Sequence, residues 1–386
     1  MTDRVRGVLY KIGRPFYKKT SALYPAARRR FVVMLGLFKR ELRAGSSISI
    51  PLSRRLWLWP RGFTSRADVL FDLTEENYDQ YLSEYQEGLT HQINGEWMEV
   101  VDNKLTAHLL LTPFADHLPT LFGLLDGETV RRYPAYEPAP TAGGGFEEHD
   151  AISYIERLLS EHGAVVLKPL VGAGGRGVYI VRRDPEGYLI NGGRVSTHSF
   201  GGLIRELDRY LVSEYVDQSE FMAELYPDST NTVRIVTMWD DRTGEPFVAT
   251  TTARIGSPQS APLDNVNQGG LLAGIDRETG ELLSVAAVSA KRSPVEVEWV
   301  EDHPATGTRL VGRSIPDWST IVDEVIRITA GLPQVPYIAW DVLPIGGGDF
   351  VILEINSSPG MINTQLHYRF LKDPRVRRFY DRHGVL

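Results

Sequence analysis

The chain has 386 residues, 42% hydrophobic, 24% charged and 10% aromatic, which fits a folded globular protein and excludes wholesale disorder, collagen and coiled coil. It contains no cysteine, so disulfides, thiol nucleophiles and Cys-ligated metals are excluded. The net charge of −7 is uneven: residues 1–66 hold sixteen Lys/Arg against Asp3 and Glu41, a balance of +14 that leaves −21 for the remainder.

Within the basic segment, Phe31, Val32, Leu35, Phe38 and Leu42 recur at helical spacing and predict an amphipathic helix. Two readings stay open: the helix packs its apolar face on the protein's own core, or it makes peripheral contact with an anionic membrane. Nucleic acid is not expected, because no binding motif with its own signature occurs. The apolar run at 31–38 is far short of the ~20 residues of a membrane span. It runs into Lys39 and Arg40, not a small-residue cleavage site, so the expected location is cytoplasmic, with the inner membrane face as the peripheral alternative.

Further along, Thr74 ahead of Glu75 and Glu76 predicts a capped helix over 74–85, and another helix runs from 104 to 111. A Pro- and Gly-rich stretch at 133–145 marks a boundary or mobile loop. Beyond it, helices are predicted at 152–162, 200–211 and 318–330. Strands are predicted at 164–169, 177–182, 210–216, 232–238, 247–255, 271–275, 282–288, 337–344 and 350–356. The mixture predicts an α+β body, not a repeated βαβ array.

Residues 165–180 read as strand, glycine-rich turn, strand, with Gly172, Gly174, Gly175 and Gly177 free to take positive φ. Successive N–H groups in such a turn can cradle phosphate oxygens. Lys168 lies in an apolar strand, where a buried ammonium is costly without an anion, and Arg176 adds a cation in the loop. A P-loop is excluded because Arg-Gly-Val replaces Gly-Lys-Ser/Thr, and a dinucleotide fold because a strand, not a helix, follows the glycines.

The second signal is a hairpin at 337–356 closed by Gly346-Gly347-Gly348. With Gly347-Gly348 as a two-residue turn, Asp341 faces Glu354 across the ladder, and Asn356 shares their sheet face. Two opposed carboxylates need a proton or a cation, and an oxygen-only set suits Mg²⁺. Pro344 could shift this register.

Taken together, the glycine hairpin after Lys168, the later acid pair and the segment Leu353-Glu-Ile-Asn-Ser-Ser-Pro-Gly360 resemble the ATP-grasp superfamily. Residues 229–237, 302–307 and 337–341 resemble its sugar-transfer-associated branch, related to glutamate- and peptide-ligase-like enzymes. The resemblance implies an α+β ATP-grasp fold, two lobes clamping ATP, with a basic helical N-terminal extension. It divides the chain into a largely helical region 1–100, an ATP-grasp domain 101–370 and a C-terminal tail 371–386. The glycine-hairpin lobe would run over about 140–213 and the metal lobe over about 217–365.

Residue by residue, the resemblance implies that Lys104 and Lys168 reach the ATP phosphates and that Gly172 to Gly177, with Arg176, form their lid. Glu214, Tyr215 and Val216 would meet adenine at the hinge, with Glu220 or Glu224 at the ribose. Asp341, Glu354 and Asn356 would hold Mg²⁺ or Mn²⁺. Arg234 and Arg254 would stand near the γ-phosphate and acyl phosphate unless they form salt bridges across the sheet, and Asn267 would complete the site. His303 belongs to the resemblance without an assignable role. The implied activity is ADP-forming ligation of a carboxylate to an amine, thiol or hydroxyl through an acyl phosphate. Its substrates would be sugar acids or amino acids in glycan or natural-product assembly. The alternatives are a kinase acting on a hydroxyl and a non-catalytic nucleotide-binding component of a glycan-assembly complex.

Overall fold

The computed structural model describes residues 25–44, 48–132, 147–172, 174–288 and 296–386. The boundary expected at 133–145 and the part of the basic segment before residue 25 lie outside the described residues.

The N-terminal layer is helical: α1 (Pro25–Ala44), α2 (Leu52–Leu58), α3 (Ser65–Phe71), α4 (Glu84–Thr90), α5 (Trp97–Asp102) and α6 (Lys104–Leu110). The helix expected at 74–85 is not formed. Thr74 and Asn77 spend their side chains on a local turn, with Glu76 N–H donating to Thr74 Oγ1 and Thr74 N–H to Asn77 Oδ1. The helix begins instead at α4, where Ser83 and Gln86 cap each other reciprocally.

The first sheet is built from β1 (Leu121–Asp126), β2 (Thr129–Arg132), β3 (Glu148–Asp150), β4 (Ala164–Pro169), β5 (Tyr179–Asp184), β6 (Gly187–Ile190), β7 (Gly193–Val195) and β8 (Tyr210–Glu214). Its order is β3-β2-β1-β8-β4-β5-β6-β7, antiparallel at every pairing. Two helices, α7 (Ala151–His162) and α8 (Thr197–Glu206), cover one face, their Tyr154, Ile155, Leu158, Phe200 and Ile204 packing on Val165, Leu167, Val181 and Val212. β1 and β2 precede the stretch at 133–145 in the chain yet belong to this sheet, β1 pairing with β8, which in turn pairs with β4. The helix expected to reach 211 stops at Glu206, and Leu207 is already extended.

The second sheet holds β9 (Thr232–Trp239), β10 (Pro246–Ile255), β11 (Leu271–Ile275), β12 (Leu282–Val288), β13 (Val297–Val300), β14 (Tyr337–Gly346) and β15 (Asp349–Asn356) in the order β13-β12-β11-β10-β9-β14-β15. Four helices follow the chain around it: α9 (Glu220–Leu225), α10 (Trp318–Ala330), α11 (Met361–Gln365) and α12 (Pro374–Arg382). Both faces are covered, which is why β9 is buried almost end to end. Val233 and Ile235 meet Ile321, Val325 and Ile328 of α10, whereas Val236 and Met238 meet Phe379 and Tyr380 of α12. Val376, Phe379 and Tyr380 of α12 are buried in this core, with Tyr380 Oη 2.9 Å from Tyr337 Oη.

Two amide side chains tie the helical layer to this body. Asn94 accepts from Tyr337 N–H at 3.1 Å and donates to Tyr337 C=O at 2.6 Å, acting as an extra rung beside β14. Gln365 makes the same pair with Leu82 at 2.9 and 2.7 Å. Replacing Asn94 by Ala leaves a buried N–H and a buried C=O unpaired, so urea unfolding should show a loss of about 2–4 kcal/mol, with Gln365→Ala similar.

Candidate active site

The two sheets face each other across a cleft of about 280 Å³. One wall comes from the end of β4 and the glycine turn, the other from β9, β10, β14 and β15. On the second wall a cross-strand row runs Thr252, Arg234, Asp341, Glu354, each directly opposite the next. The Asp341–Glu354 pairing follows from the Gly347-Gly348 turn as expected. The route between them is less regular, because the register slips between Pro344 and Gly346 and slips back between Asp341 and Val342. The two irregularities cancel, so the proline disturbs the ladder without moving the carboxylates apart.

Asp341 is buried and held by two arginines. Arg234 forks onto both carboxylate oxygens at 2.7 Å and donates its remaining arm to Pro359 C=O at 2.9 Å. Arg254 reaches Asp341 Oδ2 at 3.0 Å and Thr232 Oγ1 at 2.7 and 3.0 Å, with Asp264 at 3.7 Å. Burial alone would push the Asp341 carboxyl up, but the two guanidinium groups hold it below the usual range. The salt-bridge reading of Arg234 and Arg254 is therefore realised, and the same groups line the cleft.

Lys104, the first residue of α6, is aimed by Asn103, which caps the helix by accepting from Leu105 and Thr106 N–H. Its Nζ donates to Gly172 C=O at 2.9 Å and lies 3.3 Å from Glu354 Oε1. Lys168 enters the cleft from β4, and its pKa is lowered to about 8, chiefly by desolvation; Glu354 opposes this and Lys104 adds to it. In the glycine turn, Gly175 and Gly177 have φ of 66° and 74°. A Cβ there would stand 2.7 Å from Leu263 and 2.8 Å from Tyr210 Oη, and the positive φ strains any other residue, so both positions favour glycine. Gly172, Gly174, Arg176 and Asn267 also line it.

Among the described lining residues, Lys104, Lys168, Arg176, Arg234 and Arg254 outnumber Asp264, Asp341 and Glu354, a cationic surplus that suits an anionic ligand. For a hard cation, the donor chemistry of Glu354 and Asn356 fits. Glu354 keeps a partly exposed carboxylate, and Asn356 Nδ2 points to Asp341 at 3.4 Å, leaving its carbonyl oxygen as an acceptor. Asp341 belongs to the same oxygen set but is already shared by the arginines.

An apolar recess opens from this cleft, lined by Ala107, Leu111, Leu118, Leu121, Leu211 and Ile352, with Lys104, Lys168 and Glu354 at its mouth. It measures about 40 Å³, far below the several hundred typical of ligand pockets. His108 beside it is neutral at physiological pH, its pKa lowered to about 4 by desolvation and then by Lys168. The expected hinge residues stand apart from both cavities. Glu214 accepts from Thr120 N–H at 2.9 Å, Tyr215 lies under Arg182 at 4.3 Å, and neither they nor Val216 appear in the lining; Leu211 and Ser213 do. Alternation along β8 explains this for Glu214, because Leu211 and Ser213 point opposite to Val212 and Glu214; Tyr215 and Val216 lie beyond the end of the strand. Glu220 and Glu224 are also outside the lining, and Glu224 pairs with Arg313.

Several residues were not picked out from the sequence. Asp264 accepts from Thr232 N–H at 2.8 Å and from its hydroxyl, fixing the Thr232 oxygen that receives Arg254. Asn265 caps the turn that carries Asn267 and donates to Gly174 C=O. Asp102 receives Ser357 N–H at 2.9 Å and Ser357 Oγ at 2.8 Å. His303 is a packing residue: its Nδ1 accepts from Ala305 N–H, its Nε2 donates to Gly256 C=O at 2.9 Å, and its ring stacks on Tyr226.

The sequence matches the sugar-transfer associated ATP-grasp family over residues 85–378, and the chain belongs to that family. Among solved structures it is similar to purK, N5-carboxyaminoimidazole ribonucleotide synthetase, in its ADP complex (11% identity, 73% of this chain and 52% of that one, TM-score 0.37). It is also similar to the D-alanine-D-alanine ligase from Coxiella burnetii (10%, 77% and 67%, TM-score 0.36). A third is the VanG D-Ala:D-Ser ligase from Enterococcus faecalis (11%, 76% and 70%, TM-score 0.37). The chain spans about half the length of the first of these. No curated protein matches it.

The state of Lys168 gives a pH test. Its charged form is the one that attracts phosphate, and in the free protein that form is lost as pH rises through about 8. Affinity for ATP should therefore fall above about pH 8, and Lys168→Arg, which cannot deprotonate there, should flatten that limb of the profile.

Proposed function

We propose that the protein is an ADP-forming ligase that uses ATP to join a carboxylate to an amine, thiol or hydroxyl. The observation that carries this reading is the convergence of Lys104, Lys168, Arg234, Arg254, Asp341, Glu354 and Asn356 on one cleft beneath a glycine turn. In this reading the acceptor carboxylate oxygen attacks the γ-phosphorus, and the bond from that phosphorus to the β–γ bridging oxygen breaks, leaving ADP and an acyl phosphate. The nucleophile then attacks the acyl carbon, the carbon–oxygen bond to phosphate breaks, and the nucleophile's proton is lost. Positioning and charge stabilisation supply the catalysis.

Lys104, Lys168 and Arg176 bind the phosphates, and the glycine turn excludes water above them. Arg234 and Arg254 place positive charge beside the negative charge on the oxygens of the transferring phosphoryl group, kept in place by Asp341 and Thr232. Asn267 orients the acceptor. Glu354, Asn356 and Asp341 would hold a Mg²⁺ or Mn²⁺ ion, which when bound neutralises phosphate oxygens. Adenine would meet the hinge at Glu214, Tyr215 and Val216, next to Leu211 and Ser213 of the apolar recess, which at about 40 Å³ is too small for a purine as it stands. The division into a helical region 1–100, a catalytic body 101–370 and a C-terminal segment is proposed as the functional organisation, with substrates drawn from sugar acids or amino acids in polysaccharide assembly. The proposed place of work is the cytoplasm, at the inner face of the membrane.

ATP consumption, with sugar acids and amino acids supplied singly and in pairs and products read by mass spectrometry, tests the reading. Phosphate release that requires both an acid and a nucleophile supports ligation; transfer to a lone hydroxyl substrate would make the protein a kinase. Glu354→Gln should lower turnover about a hundredfold or more while the unfolding midpoint holds. Hydrogen exchange over residues 174–179 should slow when a non-hydrolysable ATP analogue and Mg²⁺ are added.

A further inference from the structure

The amphipathic helix of the basic segment is turned the other way from a core helix. Through Val33, Leu37 and Glu41, α1 faces the body, with Leu37 and Glu41 buried and Val33 against Gly88. Glu41, its single acid, is consumed there by Arg55 at 2.6 Å and by Ser65 N–H at 2.8 Å. The outward side carries Val32, Leu35, Phe38 and Leu42, each 41–49% exposed. These residues recur at three- and four-residue steps, so they form one stripe along the helix. Lys39 stands between Leu35 and Leu42 on that same side, and no acidic residue of α1 accompanies them. The next helix repeats the theme: Leu52 and Leu56 of α2, one turn apart, are 64% and 56% exposed. Among the described residues no helix is long and apolar enough to cross a membrane.

We propose that α1 lies in the plane of an anionic bilayer surface, with the Val32–Leu42 stripe sunk below the headgroups and Lys39 among the lipid phosphates, while Arg29 and Arg40, which reach Gln92 and Glu87 on the body, add to the positive field around it. Charge selects this occupant. An apolar stripe alone would serve a second copy of the chain equally well, but two basic stripes repel, whereas acidic lipid attracts both the cations and the stripe they flank. A surface of this kind lets the enzyme work on substrates held at a membrane. The inference rests on the peripheral location proposed above and is independent of the ligation chemistry.

The test is co-sedimentation of the full chain with vesicles of phosphatidylcholine alone and of equal parts phosphatidylcholine and phosphatidylglycerol, at low salt and at ~0.5 M salt. The expected result is binding to the mixed vesicles that weakens with salt, and little binding to the neutral ones. Leu35→Glu with Phe38→Glu should cut the vesicle-bound fraction about tenfold or more, with ATP affinity and unfolding midpoint unchanged, which shows that the body is intact. Lys39→Glu should lower binding to mixed vesicles only. The proposal is overturned if the full chain binds neither vesicle, or if the stripe variant binds as well as the unaltered chain. It is also overturned if the stripe variant converts a dimer to a monomer in sedimentation velocity. Binding that appears only after residues 1–24 are removed would assign the stripe to that segment instead.

Discussion

The bidentate pair between Arg234 and Asp341 is the interaction around which the cleft is arranged. Both groups are buried, so each depends on the other to offset its desolvation, and removing one partner of such a pair typically costs ~3–5 kcal/mol. Asp341 also takes Arg254, and Arg254 takes Thr232, which Asp264 fixes. One carboxylate thus positions two cations at the cleft wall, and those cations keep it ionised. Stability and chemistry are coupled at this point. Glu354 is different: it is partly exposed, forms an ion pair with Lys104 and feels Lys168 and Arg254 only through space, so its role at the cleft can be separated from its role in the fold.

Sheet geometry explains how residues more than a hundred positions apart come to act together. Antiparallel pairing puts β9 between β10 and β14, so Thr252, Arg234, Asp341 and Glu354 become lateral neighbours on one face. Two positions further along the same face, Val236 and Ala339 belong to the apolar patch covered by α12. The period of two makes one face serve both purposes: a hydrocarbon-covered half anchors the strands, and a polar half is left open to the cleft.

What could be read from the sequence was local. The hairpin register at 341/354 followed from its glycine turn, and Lys168 stood out as a cation inside an apolar strand. The pairing of Arg234 with Asp341 was not legible, because nothing near either residue announces that β9 and β14 adjoin across about a hundred residues of intervening chain. Asp264 was missed for the same reason, being a loop residue whose partner, Thr232, comes from another element; the loop opening at Asn265 was read as part of the site, but not the contact of Asn265 with Gly174. The misplaced helix at 74–85 has a different cause: capping residues and turn residues are the same residues, and here the turn wins. For α1, periodicity located the stripe but not its direction, since a helix can dock through its second face when a buried Glu41–Arg55 pair supplies the anchor.

The N-terminal layer is part of the site, not an accessory to it. Three consecutive residues at the α5–α6 junction reach three different pieces of the cleft. Asp102 holds the Ser357 backbone and hydroxyl just after Asn356; Asn103 bridges to Val171; Lys104 donates its N–H to Leu170 C=O at 2.9 Å and its Nζ to Gly172 C=O and Glu354. Between them they link the strand end before the glycine turn to the loop after β15, which otherwise sit on opposite walls. Asn103 also caps α6, so the residue that bridges to Val171 sets the direction in which that helix leaves toward His108 at the apolar recess; one short junction thus fixes the spacing of both walls and the placement of the recess.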